Sequence, residues 1–210
     1  MIITDVIELN KKKYKIYVDH EFAFVLYKGE FHKYRLKKDA VITEEVYREL
    51  TQEVLPKRAK LRAMHLLTQR PYTEQKLREK LMEGLYSPES TEAAIAYVKS
   101  FGYLNDKSYA EDYITYHIST QSRRVMEQKL LSKGINAKII AECMEEVGTQ
   151  ECMDAEQQQI RQLFFKKYKG CFPADNNERA KMINFFARKG YSVTSVKHAL
   201  DGISLDDLYN

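Results

Sequence analysis

Lys80-Leu81-Met82-Glu83-Gly84-Leu85, Lys129-Leu130-Leu131-Ser132-Lys133-Gly134-Ile135 and Phe185-Phe186-Ala187-Arg188-Lys189-Gly190-Tyr191 are three endings of one kind. Each is a helix-like run that reaches a polar or basic residue, then glycine, then a bulky apolar residue. The glycines lie 50 and then 56 positions apart, and after each comes a capping polar residue and another amphipathic run. Repetition at that period predicts stacked helical units before any single residue is considered. Such units present an extended surface and suit binding better than catalysis.

Working outward from these stops, each ends the middle helix of a three-helix unit. In the first, Leu61, Met64 and Leu67 mark a helix that Pro71 stops, and Thr73 caps a second carrying Leu77 and Leu81, with Gly84 as its C-terminal stop. Ser87-Pro88 opens a third, with Ile95, Val98 and Phe101 inward. The second unit uses Tyr109, Ala110, Tyr113 and Ile114, then Ser122 to Leu131, then an Asn136-capped helix carrying Ile139, Ile140, Cys143, Met144 and Val147. The third has Ile160, Leu163 and Phe164 on its first helix. Pro173-Ala174-Asp175 is the break, Asp175 and Glu178 a capping-box-like start, and Ser192 the cap of the last helix.

Upstream the period changes from 3.6 to two. Tyr14, Ile16 and Val18 alternate with polar partners, and Phe22 to Tyr27 is apolar on both faces, as in a central strand. Lys28-Gly29-Glu30 reads as a hairpin turn into a third strand, Phe31 to Leu36. Thr43 caps a helix that Pro56 closes. The expected architecture is mainly α: a small β-sheet and helix domain over 1–55, then three-helix repeats over 56–104, 105–148 and 149–210, forming an elongated body.

Bulk properties exclude several classes. No apolar run approaches the roughly 18 residues that span a bilayer, and the start MIITDVIEL lacks signal-peptide order. Three cysteines (Cys143, Cys152, Cys171) without a CxxC pair argue against a disulfide framework and for a cytoplasmic location. The five histidines are scattered, and no phosphate-binding glycine loop, HExxH or GxSxG motif occurs. Neither an enzyme nor a cofactor or metal site is expected. Cys143, on an apolar helix face, reads as a buried thiol.

Net charge is +4, concentrated in one stretch: residues 57–80 hold eight basic and two acidic side chains. Lys57, Arg58, Lys60, Arg62, Arg70, Lys76, Arg78 and Lys80 are the first candidates for a partner-facing surface, able to neutralise phosphate without reading sequence. Arg123, Arg124, Lys129 and Lys133 form a smaller second group. For every one of these a solvated helix face is the plainer alternative, and Arg70 before Pro71 can also serve a helix end. Tyr97, Tyr103, Tyr109 and Tyr113 fall at core-like positions, and no aromatic sheet motif for nucleic acid is evident.

Leu66-Leu67 with Arg70, Thr73-Glu74-Gln75-Lys76-Leu77, Gly102-Tyr103-Leu104-Asn105-Asp106, Tyr109-Ala110-Glu111-Asp112-Tyr113 and Lys133-Gly134-Ile135 follow one another in an order that resembles the RecX family, regulators of the RecA recombinase. The chain departs from that pattern at His117, where the family carries arginine, and in Ser119-Thr120-Gln121-Ser122, which lacks the usual glycine. The resemblance implies a curved helical monomer lying in the groove of a RecA–DNA filament. There it impedes ATP hydrolysis, filament growth and strand exchange, and touches single- or double-stranded DNA weakly and without sequence preference. A second reading makes the units helix-turn-helix DNA readers acting without RecA. That role needs contact residues at a helix start, and only Ser122-Arg123-Arg124 offers them. A scaffold for another acidic partner is a third.

Overall fold

The computed structural model describes residues 1–147, 149–173 and 175–201, with side chains for all of these except 149–152. Ala174 of the expected break and the side chain of Cys152 lie outside the described residues. The chain divides into two compact units after Asn105.

In the first unit β1 (Ile3–Asn10), β2 (Lys13–Val18) and β3 (Glu21–Tyr27) form an antiparallel sheet in sequence order. Its inner face buries Ile3, Ile16, Val18, Phe24 and Leu26 against Leu36, Ile42, Leu50 and Leu55. Ile16 opposes Phe24, but the register slips so that Tyr17 opposes Phe22, leaving Ala23 as the extra residue of a bulge. The slip turns Phe22 to the open face. With no strand paired beyond it among the described residues, the run read as a central strand is an edge strand, and the slip leaves Phe22 exposed on it.

The expected strand over Phe31–Leu36 is not formed; α1 (Lys28–Lys33) stands there instead. The Tyr27 backbone N–H donates to Glu30 Oε2 at 2.8 Å, which satisfies a donor at the helix start, and the Phe31 ring packs on Tyr14 at 4.9 Å. Pro56 does not close a helix either. Thr43 caps α2 (Glu44–Glu49), a π turn spans Leu50–Val54, and α3 (Leu55–Gln69) continues with the proline in its first turn. The wider turn moves the carbonyls away from the proline ring, which would clash with a regular preceding turn.

The remainder of the first unit is α3 packed with α4 (Glu74–Glu83) and α5 (Pro88–Ser100) over Ala59, Ala63, Leu77, Leu81, Ala94, Ile95 and Val98. Thr73 and Ser87 cap α4 and α5 by accepting from Lys76 N and Ser90 N. Phe101 and Tyr103, expected in the core, are each 59% exposed. Helix α5 has ended before them, and Gly102, in the left-handed region at φ +72°, points the chain outward.

The second unit holds α6 (Asp106–His117), α7 (Arg123–Ser132) and α8 (Ala137–Glu146), then α9 (Thr149–Tyr168), α10 (Asn176–Arg188) and α11 (Val193–Leu200). One core gathers Ala110, Ile114, Met126, Leu130, Ile140, Cys143 and Met144. The other gathers Ile160, Phe164, Met182, Phe186, Tyr191 and Val196. Asp175 stands at the α10 N-cap without a side-chain capping bond, unlike the expected capping box.

Candidate interaction surface

The eight cations of the 57–80 stretch separate into two populations. Helix α4 spends its own. Lys76 pairs with Glu79 at 2.8 Å and Lys80 with Glu83 at 2.6 Å. Arg78 sits between Glu74 (2.8 Å) and Glu92 (2.6 Å), and Glu74 is also held by Lys99 at 2.6 Å. Lys99 and Arg78 hold the Glu74 carboxyl below the usual carboxylate range. This network ties α4 to the start of α5, so Arg78 works inside the fold.

Arg58 is spent as well. Its guanidinium bonds Glu30 Oε2 at 2.6 Å and the Val25 carbonyl, and it lies between the rings of Tyr27 (5.0 Å) and Tyr86 (5.6 Å). It fastens the edge strand of the sheet to the first three-helix group. No acidic partner reaches Lys57, Lys60, Arg62 or Arg70 among the described residues. Lys60 rests over the Tyr97 ring at 5.2 Å and Arg70 over Tyr72 at 4.7 Å. Helical spacing sets Lys57, Leu61, His65 and Thr68 along the outer side of α3, and Leu61 is 59% exposed there. The cations of this stretch without acidic partners among the described residues therefore lie on α3 and at its end, not on α4.

In the second unit Arg123 pairs with Glu127 at 3.0 Å, whereas exposed Arg124 and Lys129 form no ion pair among the described residues. Lys133 lies over Tyr109 at 5.6 Å. His117 packs against Tyr113 with ring centres 4.3 Å apart and planes tilted by 49°, and meets Gln121 through Nδ1 at 2.7 Å. Burial, then Lys129 and Lys133, hold its pKa below the usual histidine range. Where the resemblance implies an arginine, this chain thus keeps a neutral ring at neutral pH. Lys166, Lys167 and Lys181 of the last group also lack ion pairs among the described residues, and sequence reasoning passed over them because that segment is balanced in total charge.

The N-cap of α7 is covered. Ser122 accepts from Val125 N and donates to the Lys189 carbonyl at 3.0 Å. Gly190 (φ +88°) presses so close that a Cβ there would stand 2.5 Å from Ser122 Oγ and 2.8 Å from Val125 Cγ2. Gln159 completes the contact by donating to the Ile118 carbonyl and accepting from Tyr191. Among the described residues no cluster of His, Cys, Asp or Glu is placed to hold a metal, and no helix is long and apolar enough to cross a membrane. Cys143 is buried, and burial pushes its thiol pKa up.

Comparison with known proteins follows the same lines. The family model described as RecX, first three-helix domain, matches residues 59–97. Regulatory protein RecX of Pseudomonas fluorescens is 31% identical over 146 residues, 69% of this chain and 91% of the relative. Its counterpart in Caldanaerobacter subterraneus subsp. tengcongensis is 29% identical over 203 residues, 96% of this chain and 99% of the relative. A crystal structure of regulatory protein RecX superposes with a TM-score of 0.63 at 21% identity, over 95% of this chain and 98% of that one. RecX from Lactobacillus salivarius gives 0.61 at 17% identity, over 71% and 97%. These two establish the fold alone.

Proposed function

The chain belongs to the RecX family of regulatory proteins, and from that premise we propose that it binds a RecA–DNA filament and lowers its ATP hydrolysis, extension and strand exchange. The observation that carries this reading is the separation of cations into those used within the fold and those left outward. Among the described residues no acidic partner reaches Lys57, Arg62 and Arg70 in one unit or Arg124 and Lys129 in the other. They are available to phosphate or to acidic protein surface, an attraction that salt weakens. The protein acts as a monomer in the cytoplasm, and its contact with DNA carries no base preference.

The helix-turn-helix alternative finds less support. A reader places the start of its recognition helix in the major groove. Here the Lys189 carbonyl and Gly190 cover the N-cap Ser122, and Arg123 is engaged with Glu127, which leaves Arg124 alone exposed among Ser122-Arg123-Arg124. The test adds the purified chain to RecA on single-stranded DNA and follows ATP hydrolysis. The rate is expected to fall with added protein, and an unchanged rate at saturating protein would reject the reading.

A further inference from the structure

On the face of the N-terminal sheet turned away from Ile16 and Phe24, Val25 is buried at 3% exposed, while several of its neighbours reach solvent. Across it, Tyr17 opposes Phe22, Lys15 opposes both Ile7 and Val25, and Lys13 opposes Tyr27. Phe22 is 41% exposed, Tyr27 38%, and Ile7 43%. Lysine and ring alternate. Lys15 Nζ stands 5.0 Å from the centre of Tyr17 and 4.9 Å from that of Phe22, and Lys13 Nζ stands 5.1 Å from Tyr27. The ladder continues through Arg58 to Tyr86 at the strand edge.

Lys11 and Lys12, at the β1–β2 turn, add two exposed ammonium groups to the same end of the sheet. The ion pairs around the sheet use Lys28, Lys38 and Arg58; among the described residues none uses Lys11, Lys12, Lys13 or Lys15. The one carboxylate opposite this row, Asp5 across from Tyr17, is held by Lys38 at 3.2 Å. The patch is thus cationic and aromatic together, with little internal neutralisation.

We propose that this face binds single-stranded DNA, with bases stacking on Phe22, Tyr17 and Tyr27 and phosphates meeting Lys11 to Lys15. A single strand presents a flat ring and a negative charge at every nucleotide, which matches rings interleaved with lysines. A duplex keeps its bases stacked inside and offers the rings nothing. The bulge at Ala23 acquires a purpose in this reading, since it is what delivers Phe22 to the open side. The proposal uses none of the cations assigned to the filament and does not depend on them.

The experiment measures fluorescence anisotropy of labelled oligothymidylate with the full chain, against a duplex of equal length and against polyglutamate as competitor. Phe22→Leu keeps an apolar side chain and removes only the ring, so folding is preserved; a matching thermal melt checks this. The expected result is a loss of roughly 5- to 100-fold in affinity with an unchanged salt slope. Lys13→Gln with Lys15→Gln is expected to reduce the logarithmic salt slope by about 1.4, the single-strand value for two phosphate contacts. Preference for the single strand over the duplex, with polyglutamate a poor competitor, completes the support. Wild-type affinity in Phe22→Leu, or equal competition by polyglutamate, overturns the proposal and leaves a merely cationic face. Failure of the chain to slow RecA hydrolysis would reject the filament reading and leave this one standing.

Discussion

Arg58 is the clearest case of a cation that charge counting places outside and packing places inside. Removing its charge leaves Glu30 with only the Tyr27 N–H for compensation. Breaking a well-buried pair costs about 3–5 kcal/mol. This one is partly open, with side chains 15% and 24% exposed, so screening reduces the figure. Arg58→Met, which keeps the stem between the two rings, is expected to lower stability by about 1–3 kcal/mol in urea unfolding. Lys57→Met should stay within about 0.5 kcal/mol. His117 poses the opposite problem, a titratable ring held neutral by burial and by Lys129 and Lys133. Its folded pKa lies below the ordinary 6.5, so the unfolded chain binds the proton more tightly. Stability is therefore expected to fall as pH drops from about 6.5 towards the folded midpoint. An NMR titration should place the His117 midpoint below 6.5, and a midpoint above it would contradict the local electrostatics.

At the scale of elements, the three glycine stops turn out to serve different ends. Gly84 has an ordinary φ of −75°, and the left-handed residue is Leu85 at +61°. What Gly84 supplies is clearance, since a Cβ would stand 3.0 Å from the Leu81 carbonyl and 3.2 Å from the Tyr86 ring. Gly190 supplies both the left-handed turn and the clearance against Ser122 and Val125. Gly190→Ala is therefore expected to destabilise the second unit by about 2–4 kcal/mol, combining backbone strain with forced separation of packed groups. Gly102→Ala, equally left-handed at φ +72° but with nothing within 4 Å, should cost only about 1–2 kcal/mol. Comparing the two by thermal unfolding isolates the packing share; equal losses would mean the α10–α7 contact is soft. The helices and their caps were legible in the sequence because Thr73, Ser87, Ser122, Asn136 and Ser192 each signal locally. The sheet was less so. The bulge at Ala23, the Tyr27–Glu30 capping bond and the π turn before Pro56 follow from tertiary fit, which periodicity does not carry. The charged surface was legible only in total, because an acid three or four residues along α4 decides which cations remain outward.

For the whole molecule, the distribution of unspent cations predicts how the grip is shared. Total charge gives the second unit nothing special, yet among the described residues Arg124 and Lys129 lack ion pairs just as Lys57, Arg62 and Arg70 do. If both units hold the filament at once, the chain is a linked pair of binding modules. Weakening either contact then lowers overall affinity by its own factor. One variant carries Lys57→Gln, Arg62→Gln and Arg70→Gln, a second Arg124→Gln and Lys129→Gln, and a third all five. The concentration giving half-inhibition of RecA ATP hydrolysis is expected to rise for each of the first two. For the third, the logarithmic shifts should add to within about 0.5 kcal/mol, as for contacts without shared partners. Raising salt should compress all the differences, since screening weakens the same contacts. A variant carrying Lys76→Gln and Lys80→Gln is the internal control: both lysines are matched by Glu79 and Glu83, so its midpoint should scarcely move. A silent second variant beside a disabled first would mean that one unit alone holds the filament, and a control as damaging as the first would mean that the ion pairs of α4 open when the partner arrives.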